Sequence, residues 1–196
     1  MAVVNPRRRL VVGISGASGV IYGIRLLEML RDAGDVEVHL VMTATARMNV
    51  RIETDHAVAD IEKLASEVHD DRNLAASISS GSFRTLGMIV APCSIKTLSG
   101  IATSDSDNLL TRAADVVLKE RRRLVLMPRE APLNLAHLRN MVSVTEMGGI
   151  VYPPLPAFYH RPESIAQMVD HTCGRVLELF GIEQSISPRW EGIAAQ

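Results

Sequence analysis

The sequence predicts an α/β fold in which a parallel sheet lies between two layers of helices. Short aliphatic runs alternate along the chain with stretches of helical periodicity, an alternation typical of doubly wound sheets. Hydrophobic residues are nearly continuous within these runs, as expected for strands that are buried on both faces. The chain has 196 residues, of which 47% are hydrophobic, and this is enough for one sizeable core. We therefore expect a Rossmann-like or flavodoxin-like three-layer αβα domain.

The amino-terminal half begins with a strand and a helix that a glycine-rich stretch joins. The aliphatic run RLVVGI ends in GISGASG, and the residues after it predict a helix over 20–33 that Gly34 ends. The next two predicted strands are VEVHLVM (36–42) and GMIVAPC (87–93). This first half therefore supplies three strands of the expected sheet.

The carboxyl-terminal half continues the alternation. Helical periodicity over 108–121 and 133–147 flanks the strand RLVLMP (123–128), and GGIVYPP supplies a fifth strand. Pro162 occupies a position typical of a first helical turn, which predicts a last helix from there to Gly181. No internal repeat or low-complexity linker interrupts the pattern. We expect one domain over residues 1–196, with residues 182–196 as a polar tail that docks on a partner or stays loose.

Composition argues against several classes of function. The formal net charge of −1 gives no electrostatic basis for binding nucleic acid or a membrane surface. No apolar run reaches the length of about 18 residues that a membrane span needs. The two cysteines and six histidines show no metal-binding spacing, so neither a metal site nor a disulfide framework is expected. We expect a cytoplasmic protein.

Four polar loops follow the predicted strands: GISGASG, MTATA, APCSIKT and PREAPL. Ligands of open α/β sheets bind at the carboxyl ends of the strands, so these loops form the candidate site. The spacing of Gly13, Gly16 and Gly19 matches neither a dinucleotide fingerprint nor a P-loop. The first loop is therefore either a phosphate cradle built from backbone N–H groups or a tight structural turn. The hydroxyl groups and the single arginine of the other loops favour the phosphate.

Six motifs occur together and in order along the chain. They are GASG (16–19), ETD (53–55), SSGS (79–82), PCSIKTLSGIA (92–102), RAADVVLKERRRLVLMPREAPL (112–133) and PPLPAFYHRPES (153–164). From about Leu10 to Trp190 the chain resembles the UbiX-type flavin prenyltransferase family, whose members formerly bore the name aromatic acid decarboxylase subunits. The two longest motifs carry most of the resemblance, because they are highly specific, whereas GASG alone is a weak signal.

The resemblance implies an enzyme that transfers the dimethylallyl group of dimethylallyl phosphate to N5 and C6 of reduced FMN. The product, prenylated FMN, is the cofactor that UbiD-type decarboxylases use. Members of the family need no metal for this reaction. They form homo-oligomers, dodecamers in which neighbouring subunits share the site. The sequence leaves open whether the product serves ubiquinone biosynthesis or aromatic acid decarboxylation, and whether the prenyl donor is a mono- or a diphosphate.

The resemblance also implies roles for individual residues. The implied FMN contacts are Gly16, Ala17, Ser18, Thr43, Ser94, Ile95, Lys96, Thr97 and Arg129. The implied contacts of the prenyl phosphate are Ser80, Arg112, Lys119, Tyr159 and Arg175. The implied catalytic residues are Ser18, Glu53, Lys119, Glu130 and Trp190. Thr43 stands where relatives usually carry a serine, so the hydroxyl group is kept.

These residue types suit the implied reaction. Cleavage of an allylic C–O bond without a metal leaves negative charge on the phosphate, which Arg112, Lys119 and Arg175 can neutralise. The positive charge on the prenyl carbon can be stabilised by the faces of reduced flavin and Trp190. Glu53 and Glu130 are candidates for proton transfer, with Ser18 as a relay near N5.

Each assignment also has a purely structural alternative. Arg112 and Lys119 can be solvated residues of a helix, and Arg175 can form an ion pair at an interface. Glu53 can be a carboxylate at a helix start, and Trp190 can pack between subunits.

The sequence leaves two other functions open. One is a flavin-dependent cysteine decarboxylase of the same fold, although the APCSIKT loop differs from the PASANT-like motif expected there. The other is a non-catalytic FMN-binding subunit of an aromatic acid decarboxylase. The joint presence of the implied catalytic and phosphate-binding residues argues against a passive role.

Overall fold

A computed structural model describes residues 8–183 of the chain. Its central sheet has six parallel strands: β1 (Arg8–Ile14), β2 (Val36–Met42), β3 (Glu67–Asp70), β4 (Gly87–Cys93), β5 (Arg123–Pro128) and β6 (Ile150–Val151). Their order across the sheet is β3-β2-β1-β4-β5-β6. The chain order reverses between β1 and β4, which is the switch point of a Rossmann-type sheet. The predicted α/β fold class is confirmed.

Seven helices within residues 8–183 cover the two faces of the sheet. They are α1 (Val20–Ala33), α2 (Ala44–Glu53), α3 (Val58–Glu62), α4 (Ile95–Ala102), α5 (Leu109–Lys119), α6 (Leu135–Glu146) and α7 (Ile165–Glu178). One core joins α1, α2, α3 and α7 to the sheet face that carries Leu10 and Val12, and a second core joins α4, α5 and α6 to the face that carries Val11. Since both faces are buried, successive strand residues are all apolar, and this produces the continuous runs seen in the sequence.

Helix α1 has the predicted bounds, whereas the three later predicted helices are shorter than expected. Gly34 ends α1 in the left-handed conformation (φ +72°) and donates its N–H to the carbonyl of Leu30 at 3.3 Å. The prediction that the last helix begins at Pro162 is wrong. Ser164 caps α7 instead, because its Oγ accepts the N–H of Gln167 at 3.2 Å.

Four elements were not predicted as such: α2, α3, β3 and α4. Two of them begin inside segments that were expected to be loops, since Thr43 of MTATA caps α2 and Ser94 of APCSIKT caps α4. Ile182, the first residue of the expected tail, is buried in the core. Residues 184–196, with Trp190, lie outside the described residues. Across the described helices, none combines the length and the apolar character that crossing a membrane requires.

Candidate active site

A cavity of about 590 Å³ opens at the switch point, where β1 and β4 end. Six of the nine residues implied in FMN binding line it: Gly16, Thr43, Ser94, Ile95, Lys96 and Thr97. They belong to the loop after β1, the start of α2 after β2, and the start of α4 after β4. Parallel pairing aligns the carboxyl ends of these strands, so loops that are distant in sequence meet at one edge of the sheet.

Ser15 connects the two loops that flank the switch point. Its fully buried side chain donates a hydrogen bond to the carbonyl of Pro92 at 3.0 Å. The same Oγ accepts the N–H of Ser94 at 2.7 Å. Ser15 was not among the residues expected from the sequence, because a serine within a glycine-rich loop has no distinguishing signal. Its contacts make it a positioning residue for the start of α4.

Helix α2 approaches the glycine-rich loop closely. Asn49 donates from Nδ2 to the carbonyl of Ala17 at 3.0 Å. A Cβ at position 16 would lie 2.6 Å from the Cβ of Thr45, and real side chains do not approach so closely. The absence of a side chain at Gly16 therefore allows the loop to pack directly against α2. Any larger residue would push the loop and α2 apart.

The amino terminus of α1 binds a carboxylate of the same chain. Oε2 of Glu53 accepts the N–H groups of Gly19 at 2.8 Å and Val20 at 3.2 Å. A negative charge at this position complements the positive end of the helix dipole. The N–H groups of Gly19 and Val20 are thus bonded to Glu53. At these two residues the loop is a structural turn, which was the alternative to a phosphate cradle. The same contact gives Glu53 the helix-start role that was its structural alternative.

The start of α4 is better placed to bind an anion. Oγ of Ser94 accepts the N–H of Thr97 at 3.2 Å and donates to Oγ1 of Thr97 at 3.0 Å. Ile95 and Lys96 occupy the first turn, where backbone N–H groups have no partner within the helix. Both residues line the cavity, and Lys96 adds a cation. The phosphate of a nucleotide-like ligand would therefore be bound here more favourably than at α1.

Carboxylates line another part of the cavity, namely those of Asp71, Asp105 and Asp107. Asp71 accepts the N–H of Leu110 at 3.1 Å, which ties the segment after β3 to the start of α5. Burial raises the pKa of the Asp71 carboxyl, and the nearby Asp107 raises it further. These residues were not expected from the sequence, because no motif marks them. They can accept hydrogen bonds from ligand hydroxyl groups.

Arg129 and Glu130 follow β5 and lie beside the loop after β4. The N–H of Arg129 donates to the carbonyl of Cys93 at 3.2 Å, and both side chains are exposed. Oε1 of Glu130 accepts the N–H of Ala131 at 2.9 Å. Ser18 is exposed at the end of the glycine-rich loop. Burial raises the pKa of the Cys93 thiol, which suits a core residue and not a nucleophile.

Ser80 and Lys119 lie near the amino ends of the strands, whereas the cavity lies at their carboxyl ends. Helix α5 starts next to the cavity-lining Asn108 and extends about 16 Å before it ends at Lys119. There Nζ of Lys119 bonds to Oε1 of Glu120 at 2.6 Å. The adjacent turn that carries Ser80 is fixed by Arg122, which donates to the carbonyls of Gly81 at 2.6 Å and Phe83 at 2.7 Å. Arg112, between these ends, pairs with Asp115 at 2.8 Å.

Tyr159 and Arg175 form a third group, on α7 and the segment before it. Oη of Tyr159 lies 2.7 Å from Nε2 of His171, and the His160 ring stacks on the His171 ring at a centroid distance of 4.3 Å. His171 and Arg175 are four residues apart on α7, so they share one helix face. Arg175 pairs with Glu178. His171 was not expected from the sequence, although it holds the phenol of an implied substrate contact.

The described residues of one chain do not bring these three groups together. The cavity lining includes none of Ser80, Arg112, Lys119, Tyr159 and Arg175. The implied cations Arg112, Lys119 and Arg175 therefore lie outside the lining of their own chain's cavity.

Comparisons with known proteins agree with this architecture. The family model described as Flavoprotein matches residues 3–182. Flavin prenyltransferase UbiX of Escherichia coli K12 is 57% identical over 187 residues, which cover 94% of this chain and 99% of that protein. A crystal structure of AnUbiX (PadA1) in complex with FMN and dimethylallyl pyrophosphate superposes with a TM-score of 0.93 at 48% identity, covering 95% of this chain and 99% of that one.

A dodecameric FMN-dependent UbiX-like decarboxylase from Escherichia coli O157:H7 has a TM-score of 0.92 at 49% identity, covering 94% of this chain and all of that one. The FMN-dependent cysteine decarboxylase TvaF is only 19% identical with a TM-score of 0.59, over 85% of this chain and 98% of that one. The likeness to TvaF shows a shared fold alone.

Proposed function

We propose that this chain, which belongs to the UbiX-type flavin prenyltransferase family, joins the dimethylallyl group of dimethylallyl phosphate to N5 and C6 of reduced FMN. The observation that carries the proposal is the cavity at the β1/β4 switch point, which six of the implied FMN contacts line. Identity of 57% over nearly the whole chain to a flavin prenyltransferase supports the same activity. The enzyme is thus a transferase whose product is prenylated FMN.

The cavity has the volume and the chemistry that FMN requires. Its 590 Å³ lies within the usual range of about 300–1,000 Å³ for small-molecule sites. The start of α4 with Lys96 suits the phosphate, and the aspartates suit the hydroxyl groups of the ribityl chain. Gly16 lets the glycine-rich loop and α2 approach each other closely at the wall of the cavity. Reduced FMN, when bound, supplies the electron-rich N5 and C6 that accept the prenyl group.

The prenyl phosphate is bound by groups that neighbouring subunits contribute. Ser80 and Lys119 lie near the amino ends of the strands, away from the cavity of their own chain. They can therefore complete the site of another subunit. Tyr159 and Arg175 likewise lie outside the cavity of their own chain. The solved dodecamer of a 49% identical relative supports a homo-oligomer, with a dodecamer as the proposed state.

Helix α6 offers a surface for this assembly. Leu135, Leu138 and Val142 are 60%, 46% and 56% exposed and follow one another at helical spacing. Such an apolar stripe on the outer face of a helix is typical of a surface that another subunit covers.

The arginines and the lysine neutralise charge as the allylic C–O bond breaks. Arg112, Lys119 and Arg175 bind the leaving phosphate, and fixed cations of this kind need no reorganisation during the reaction. We propose that the reaction uses no metal for this reason. The phenol of Tyr159, oriented by His171, adds a neutral donor to the phosphate. Trp190 shelters the prenyl cation.

Proton transfer is assigned to three exposed residues, Ser18, Glu53 and Glu130. Glu130 is near the flavin-binding Arg129 and acts as the acid or base for C6 and N5. Ser18 relays a proton near N5. Glu53 holds the loop that carries Ser18 through its bonds to Gly19 and Val20, so its role combines positioning with proton transfer.

The product is delivered to a UbiD-type decarboxylase as a free small molecule. The test is incubation of the enzyme with reduced FMN and dimethylallyl phosphate, followed by removal of all protein by filtration. The filtrate should activate an apo decarboxylase. A non-catalytic accessory subunit would have to remain present, so an inactive filtrate together with activation by the protein itself would overturn the proposal.

A further inference from the structure

Two buried histidines and a carboxylate meet on neighbouring strands, outside the cavity. His39 of β2 pairs in register with Glu67 of β3, and His69 follows two residues later on the same face of β3. Nδ1 of His39 lies 3.0 Å from Nε2 of His69 and 3.4 Å from Oε2 of Glu67. No metal site was expected from the sequence, because metal-binding spacings are recognisable only along one segment. Here 30 residues separate the two histidines and only the sheet joins them.

Neutral histidines cannot satisfy all the contacts of this cluster. Nε2 of His39 lies 3.1 Å from Oε1 of Glu37, so this nitrogen has to carry the hydrogen. Nδ1 of His39 then faces Nε2 of His69 and Oε2 of Glu67 as an acceptor. If Nε2 of His69 donates to it, Nδ1 of His69 becomes an acceptor that faces Oε1 of Glu67 at 3.6 Å. With these tautomers the two shortest contacts are satisfied, but the carboxylate of Glu67 faces ring nitrogens that carry no hydrogen at 3.4 and 3.6 Å. A cation placed among these acceptors would stabilise the arrangement.

We propose that Nδ1 of His39, Nε2 of His69 and a carboxylate oxygen of Glu67 bind a divalent transition-metal ion, with zinc as the best match. Ligand atoms at about 2.0–2.2 Å from a tetrahedral zinc lie roughly 3.3 Å apart, close to the observed separations. All three candidate ligand atoms lie within 4.8 Å of one another. Three protein ligands leave the fourth position to water.

Glu37 fits the outer sphere of such a site. Metal-binding histidines usually donate their second ring N–H to a carboxylate, which fixes the tautomer and the orientation of the ring. Glu37 is placed for this contact with His39 and also pairs with Arg9 at 3.3 Å. If both histidines are neutral, the charged groups around the site are the carboxylates of Glu37 and Glu67 and the guanidinium of Arg9. Their net charge of −1 favours the binding of a dication.

The cluster is sheltered from solvent on most sides but can be reached from one of them. His39 is fully buried and His69 is 6% exposed. Glu67 is exposed at the edge of the sheet, and His69 borders a groove of about 510 Å³ that gives an ion a path of entry.

The metal in this site has a structural role and no part in prenyl transfer. None of the three ligands lines the switch-point cavity. The ion would join the edge strand β3 to β2, which are otherwise held by a short parallel ladder. The inference therefore stands whether or not the proposed function is correct.

The test is calorimetric titration of untagged, metal-free protein with ZnCl₂, repeated with CoCl₂ to record the visible absorption of a tetrahedral site. We expect saturable binding of one ion per chain. His69→Gln and Glu67→Gln should each weaken zinc binding at least tenfold, since even outer-sphere changes cost about 10–100-fold. Glu67→Gln alters an exposed side chain, so the folded protein is available for measurement. His56→Gln removes an exposed histidine elsewhere and should bind as the wild type does.

FMN binding and prenylation should be unchanged in all these variants. A wild type without saturable zinc binding would overturn the proposal. Unchanged zinc affinity in both ligand variants would also overturn the assignment.

Discussion

Replacement of Arg175 by alanine should separate the binding of FMN from the use of the prenyl donor. Arg175 lies on α7, outside the cavity that the implied FMN contacts line. FMN affinity should therefore remain that of the wild type. The leaving phosphate, by contrast, loses a guanidinium that can form paired, charge-assisted hydrogen bonds.

The expected size of the effect follows from the contacts of Arg175. A hydrogen bond to a charged group contributes about 1.5–3 kcal/mol, which corresponds to roughly a tenfold to hundredfold loss in kcat/KM for dimethylallyl phosphate. Arg175 must first leave Glu178, but the Arg175 side chain is 46% exposed, and an ion pair that solvent can reach is worth about 1 kcal/mol. Glu178→Gln removes that competitor and should improve use of the donor, by up to about fivefold. Tyr159→Phe removes a neutral donor and should cost about twofold to tenfold.

The assay combines FMN titration with single-turnover prenylation on the same preparations. Arg31→Ala, a change at an exposed arginine in the last turn of α1, is the matched control and should retain both properties. If Arg175→Ala emptied the FMN site, or prenylated at the wild-type rate, Arg175 would not be a contact of the prenyl phosphate.

Three further predictions follow from the fold and the site. Gly16→Ala should weaken FMN binding, since the new Cβ would lie 2.6 Å from Thr45; wild-type affinity by fluorescence titration would contradict the close approach. Mixed oligomers of Gly16→Ala and Lys119→Ala subunits should regain roughly a quarter of wild-type prenylation, because intact halves of the site meet across interfaces. Mixed oligomers no more active than their parents would refute a shared site. Burial, with His160 and Arg175 nearby, lowers the pKa of His171, so the folded state binds fewer protons than the unfolded one. The free energy of unfolding should therefore fall as pH drops below about 6.5, and it should fall less steeply in His171→Gln. The same pH dependence for both proteins in urea titrations would contradict this prediction.

The sheet and α1 could be predicted because their burial leaves a clear trace in the sequence. Buried parallel strands give continuous apolar runs, and α1 combines an apolar face with a glycine stop at Gly34. The missed elements lack such traces. β3 has only four residues, of which only His69 is buried, and α2 has only two buried residues, Ala46 and Val50. Helix α4 has eight residues and was hidden in a loop motif.

The cavity could be predicted only in outline. The rule that ligands bind at strand ends identified the loops of Gly16, Thr43 and Ser94, and the structure places all three at one cavity. The contacts of Ser15 and Asp71 depend on how the loops cross, which no local pattern records. His39 and His69 are brought together by strand pairing alone. In the proposed shared site, the positions of Lys119 and Arg175 relative to FMN would depend on neighbouring subunits, which the sequence of one chain does not record.

Prenyl transfer itself is tested most directly by the mass and absorption spectrum of the flavin after turnover. The enzyme is incubated anaerobically with reduced FMN, dimethylallyl phosphate and EDTA, and the flavin is then released from the protein. We expect a flavin that has gained one C₅H₈ unit, with a spectrum distinct from that of FMN. Recovery of unmodified FMN, or modification only after a divalent metal is restored, would contradict the account.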